Sequence, residues 1–85
     1  GQPMQLDAAP MATAWRVARV NEDPNQAERA RQLEELGFLP GEKVSVMSRA
    51  WPGGDPMVVR VGLSTFALRV AEARCVQLQL DVQDA

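Results

Sequence analysis

The chain has 85 residues, 46% of them hydrophobic and 24% charged, with nine basic against eleven acidic side chains and a net charge of −2. That composition is the core of one small domain, which buries about 60% of its unfolded surface, and it excludes a membrane span and a disordered tail. The absence of histidine and the presence of one cysteine, Cys75, exclude an internal disulfide and a structural zinc site of about four Cys/His ligands.

Residues 1–5 read as disordered or as a cloning remnant, because Gly1-Gln2-Pro3 stands ahead of Met4. Leu6 is the side chain of this loose start that reaches the core edge. Trp15 to Val20 reads as a strand with Trp15 and Val17 on one face. Val20 falls out of phase by one, which predicts a bulge near Ala18–Arg19. Asn21-Glu22-Asp23-Pro24 reads as a helix start, with Asp23 as N-cap, Pro24 in the first helical position and Gln26 in capping-box register. The spacing of Ala27, Ala30, Leu33 and Leu36 predicts a helix over about 24–36 with a narrow apolar stripe. Gly37 supplies the left-handed stop, and Pro40-Gly41 blocks continuation.

Strand-like stretches follow with little between them. Val44 and Val46 alternate with Lys43, Ser45 and Met47 up to about Ala50. Trp51-Pro52-Gly53-Gly54-Asp55-Pro56 reads as a tight turn, with Asp55 bonding its own backbone. Met57, Val59 and Val61 point inward while Arg60 points out. Phe66 and Leu68 are the inward residues of 65–69, and a turn through Ala71-Glu72-Ala73 leads to Val76, Leu78, Leu80 and Val82. The pattern predicts a mainly β, single domain over 1–85: a small barrel of five or more short antiparallel strands with one inserted α-helix.

Little catalytic chemistry is available to such a chain. Without histidine there is no Ser-His or Cys-His nucleophile pair. No GxxxxGK[ST] phosphate loop is present, and Gly53-Gly54 between two prolines reads as a turn. The carboxylates Glu22, Asp23, Glu28, Glu34 and Glu35 read as a cap and a solvated helix face, so no metal or cofactor site is assigned. One lysine and no basic run argue against nucleic acid as a partner. The lone thiol and the lack of a secretory pattern fit a cytoplasmic protein. Cys75 falls on the polar parity of the last strand, which predicts partial exposure of an unactivated thiol.

Glu35-Leu36-Gly37-Phe38-Leu39-Pro40-Gly41, followed by Val44 and Val46, resembles the ELGF-x-PG-x-x-V-x-V core of FeoA domains. Gly54-Asp55-Pro56 with Val59-Arg60-Val61-Gly62 resembles the hairpin of that family, and Ala67-Leu68-Arg69 with Glu72-Ala73 resembles its ALR-x-x-EA stretch. In this order the motifs cover roughly residues 6–82. The sequence departs from the family in lacking a glycine near Met11 and in carrying the large Trp51. The resemblance implies an SH3-like barrel with a helix inserted after the first strand. It also implies a non-enzymatic role beside FeoB, the membrane transporter for ferrous iron, at its cytoplasmic side, so that the chain is peripheral to the membrane through its partner. The alternative it implies is a metal-responsive regulatory domain akin to the C-terminal domain of iron-dependent repressors.

Two surfaces compete for a partner. Residues 22–42 carry six acids against Arg29 and Arg31, a charge pattern that reads as a solvated helix face. The apolar candidate consists of Trp51 and Pro52 in one loop and Leu63 in the next, with Met47 and Val58 nearby, since exposed apolar and aromatic side chains are the usual interface anchors. Arg49, Arg60 and Arg69 are expected on the solvent side of neighbouring strands, where they read first as solubilising charges and, as the alternative, as a stripe for an acidic partner. A weak homo-oligomer is compatible with all of this.

Overall fold

One antiparallel sheet of six strands carries the fold of the computed structural model, which describes residues 4–81. The strands are β1 (Met4–Gln5), β2 (Trp15–Val20), β3 (Lys43–Arg49), β4 (Met57–Val61), β5 (Ser64–Leu68) and β6 (Val76–Leu80). Their order across the sheet is β1-β6-β2-β3-β4-β5. The helices are α1 (Arg29–Leu36), between β2 and β3, and α2 (Val70–Ala73), between β5 and β6. The mainly β, SH3-like architecture predicted from the sequence is the one observed.

Alternation builds the core. Val17, Val46, Met57, Val59, Leu68 and Val76 are fully buried on the inner face, with Leu6, Leu33 and Phe38 packed against them. Phe38 and Phe66 meet at 6.5 Å between ring centroids, tilted by 44°. Burying such side chains removes apolar surface from water at about 25 cal/mol per Å², and that drives the curled sheet to close around them. The predicted bulge is present, as a register shift in β2 between Val17 and Arg19. A second bulge, which alternation alone did not reveal, lies in β3 between Val46 and Ser48. It takes Met47 out of the regular pleat.

Met4–Leu6 correct the expectation of a loose start in part, while residues 1–3 lie outside the described residues. Met4 and Gln5 pair with Leu78 and Gln77 of β6, and Leu6 is fully buried. One side chain helps anchor this region to the sheet: Arg49 donates from Nη2 to the Ala9 carbonyl at 2.8 Å, while its Nη1 lies 3.6 Å from the Met57 sulfur on β4. Arg49 therefore turns inward and leaves the expected arginine stripe, while Arg60 and Arg69 remain exposed. Val82 lies outside the described residues.

The helix begins later than predicted, at Arg29 rather than 24. Asp23 does cap, but it caps a turn: its Oδ1 accepts from the Asn25 N–H at 2.9 Å, and its carbonyl accepts from Gln26 at 3.0 Å. Its other oxygen holds Arg29 Nη1 at 2.7 Å. An Asx-type turn satisfies the same donors that a helix N-terminus would present, so the strong local signal was real and its product was different. The C-terminal end is as expected. Gly37 has φ of 117°, its N–H reaches Glu34 O at 3.0 Å, and Phe38 N–H reaches Leu33 O at 3.1 Å. This is the paired bonding of a Schellman stop. Of the predicted stripe, Ala30 and Leu33 are buried, whereas Ala27 and Leu36 are exposed.

The stretch 71–73, expected as a turn, is part of α2. Glu72 accepts from the Arg69 N–H at 2.8 Å, as the third residue of a capping box does. Asp55 does not fold back on its own loop. Its Oδ1 accepts from the Val70 N–H at 3.1 Å, fifteen residues away in sequence.

Candidate functional site

The tight β4–β5 turn creates the site. Val61 and Ser64 pair across Gly62 and Leu63, and Gly62 has φ of 58°, the glycine-first geometry of a type II′ hairpin turn. The Gly62 N–H also donates to the Lys43 carbonyl at 2.9 Å, which pins the turn against the start of β3. The Leu63 side chain has nowhere to go but outward, and it is 93% exposed.

Beside this turn the β3 bulge leaves Met47 50% exposed, and Ser45 Oγ lies 3.5 Å from its sulfur. Met47 and Leu63 line one groove of about 480 Å³ together with Ala12 and Trp15. Two cations, Lys43 and Arg60, stand on its walls. Neither forms a salt bridge among the described residues. The groove thus combines apolar contact area with unpaired positive charge. Electrostatic complementarity of this kind selects a partner and steers its approach more than it adds affinity.

The five residues nominated from sequence do not form one patch. Met47 and Leu63 share the groove, whereas Trp51, Pro52 and Val58 lie outside it. Trp51 is 92% exposed and Pro52 is exposed in the β3–β4 loop. That loop is at the opposite end of β4 from Leu63, across a five-residue strand of about 17 Å. Val58 is half-buried between Ser48 and Ala67. Sequence reasoning missed Ala12, Trp15 and Lys43. Lys43 carried a usable signal as the only lysine of the chain, on the outward parity of β3. The contribution of Ala12 depends on its φ of 60°, which no sequence pattern announces.

Cys75 also differs from expectation. It precedes β6, is buried at 8% exposure, and its thiol lies 3.8 Å from the Ala71 carbonyl. Burial pushes its pKa up, and the negative charges of Asp23 and Glu72 add to the rise while Arg29 opposes it. A thiol held in its neutral form is neither a ready nucleophile nor a ready metal ligand. No group of three or more His, Cys, Asp or Glu among the described residues is placed to hold a metal ion. No helix among them is long and apolar enough to cross a membrane.

The sequence pattern of the FeoA domain matches residues 4–80. Among solved structures, the chain is similar to FeoA of Stenotrophomonas maltophilia complexed with zinc, a procaryotic SH3 domain protein put forward as a ferrous iron transport activating factor. The two are 38% identical with a TM-score of 0.80, over 89% of each chain. FeoA of Chlorobium tepidum is 29% identical with a TM-score of 0.77, over 96% of this chain and 74% of that one. The IdeR of T. acidophilum, at 15% identity and a TM-score of 0.73 over 95% of this chain and 35% of its own, shows the fold alone. Compared with curated proteins, the chain matches none. The residues present here do not fit the zinc of the Stenotrophomonas protein: histidine is absent and the one thiol is buried.

Proposed function

This chain belongs to the FeoA family, and we propose that it is a non-enzymatic accessory of ferrous iron uptake that docks on the cytoplasmic part of a FeoB-type transporter. The observation that carries this reading is the groove of Met47 and Leu63 between Lys43 and Arg60. Leu63, 93% exposed on a rigid two-residue turn, and Met47, 50% exposed beside it, form a contiguous apolar patch rimmed by cations, the kind of surface that marks an interaction site. The chemistry of the groove calls for a segment that brings an apolar side chain together with a carboxylate. Trp51 and Pro52 offer a second apolar contact at the far end of β4 to a partner long enough to reach them, with Val58 along the way.

A non-catalytic role is supported by what the side chains lack. There is no histidine for proton transfer, and the one thiol is buried with its pKa raised. The ferrous ion is the cargo of the transporter in this reading, and the chain itself does not hold it. The repressor-type alternative rests on the shared fold alone, since those relatives are 15–19% identical.

Calorimetric titration of the chain with the isolated cytoplasmic domain of its FeoB-type transporter tests the proposal. Saturable one-to-one binding that weakens as salt rises is expected. No binding at about 100 μM of each partner would contradict it.

A further inference from the structure

The sheet has two edges, and they are built differently. β1 is a two-residue strand, short enough to offer little template for pairing. β5 is a full five-residue strand, Ser64-Thr65-Phe66-Ala67-Leu68, in unbroken register with β4. It carries no charge, no proline and no bulge, which are the usual devices that blunt an edge.

The backbone groups that β5 presents follow from its register. Ladder bonds in an antiparallel pair fall on alternate residues. Val61 and Ser64 close a two-residue turn and therefore exchange bonds. So do Val59 with Phe66 and Met57 with Leu68. The N–H and C=O groups of Thr65 and Ala67 then face away from β4, and no backbone partner is found for them among the described residues. Both residues are exposed, and Phe66 between them is only partly buried.

We propose that β5 pairs antiparallel with β5 of a second copy of this chain, about a two-fold axis through Phe66. The sequence is self-complementary in that register. Each Thr65 faces Ala67 of the other copy as a hydrogen-bonded pair, giving four backbone bonds, and the two Phe66 side chains meet across the axis as a close, non-bonded pair. On the outer face each Arg60 lies beside its own Thr65 and each Val58 beside its own Ala67. The row across the interface therefore runs from arginine to valine, and no like charges are opposed. This is the isologous geometry that closes at two subunits. One strand pair falls below the roughly 1,000 Å² of a stable interface, so the dimer is weak and concentration-dependent. It is independent of any transporter.

Analytical ultracentrifugation of the full chain is the test. The wild-type chain should shift reversibly from monomer to dimer as its concentration approaches ~1 mM. Thr65→Lys/Ala67→Lys places two lysine pairs directly opposite and should stay monomeric. Thr65→Lys/Ala67→Glu creates two opposite-charge pairs and should restore association. Circular dichroism confirms that each variant is folded, and the substituted side chains are exposed. A wild-type chain that stays monomeric throughout overturns the proposal. So does a double-lysine variant that dimerises like the wild type, or a lysine–glutamate variant that stays as monomeric as the double-lysine one.

Discussion

Asp55 and Val70 are joined by a 3.1 Å hydrogen bond from the Val70 N–H to Asp55 Oδ1, and this contact ties the β3–β4 loop to the first residue of α2. Together with the Glu72 carboxylate on the Arg69 N–H at 2.8 Å, it satisfies two donors that a helix start leaves open. Neither acid forms a salt bridge among the described residues, so both act here through backbone hydrogen bonds.

Asp55→Ala is accordingly expected to lower stability by about 1 kcal/mol. Asp55→Asn, which keeps a carbonyl acceptor, should lose less. Urea unfolding of the three proteins measures this, and an alanine variant as stable as the wild type would show that the bond contributes nothing.

Two left-handed positions predict opposite results. Gly37 has φ of 117°, and a Cβ there would meet Val61 Cγ1 at an ordinary 3.9 Å. The cost of Gly37→Ala is therefore backbone strain alone, about 1 kcal/mol. Ala12 already sits at φ of 60°, so Ala12→Gly should stabilise by about 0.5 kcal/mol, the relief of strain exceeding the added chain entropy. Thermal unfolding of both variants checks the pair of signs.

These two positions also show how far sequence reading reaches. Gly37 announced its conformation, because a glycine after a helical run with Pro40-Gly41 beyond it has few other uses. The missing glycine near Met11 was visible too, but not that Ala12 would take the left-handed conformation in its place. Alternation placed β2, β4 and most of the inward side chains, but Leu80, in phase with Val76 and Leu78 on β6, is 65% exposed. The start of α1 falls later than the sequence signal because Asp23-Pro24 caps a turn as well as it caps a helix. The groove was half legible: Leu63 and Met47 were named, but the Val46–Ser48 bulge that brings Met47 beside the turn is a tertiary feature. Trp51 and Leu63 read as one surface because both are apolar side chains in turns, although β4 separates them.

Cys75 gives a pH prediction. Its pKa is raised in the folded chain, chiefly by burial and then by Asp23 and Glu72. The native state therefore keeps a proton that the unfolded state gives up as pH rises through the usual thiol range, at about 8.5. Stability from this source is complete below that range and is lost above it. Cys75→Ala should flatten the decline in stability above about pH 8.5 relative to the wild type. Parallel slopes for the two proteins would contradict the assignment. Reaction of the native thiol with a disulfide reagent should likewise be slow until the chain is unfolded.

The ligand set of this chain gives a prediction about metal binding. Transition metals favour imidazole and thiolate ligands, and the described residues hold no cluster of three suitable groups. Titration with zinc or ferrous ion should show no saturable site of about micromolar affinity or tighter. A one-to-one site at that affinity would contradict the ligand argument.

The central claim is that the Met47–Leu63 groove, and not the acidic helix region, receives the transporter. The most direct measurement is the affinity of Leu63→Ala and Glu34→Lys for its cytoplasmic domain, after each variant is shown to be folded. Truncating a covered anchor costs about 2 kcal/mol, roughly thirtyfold in affinity, whereas a rim charge costs far less. The account predicts that loss for Leu63→Ala and near wild-type binding for Glu34→Lys; normal binding by Leu63→Ala with loss in Glu34→Lys would contradict it.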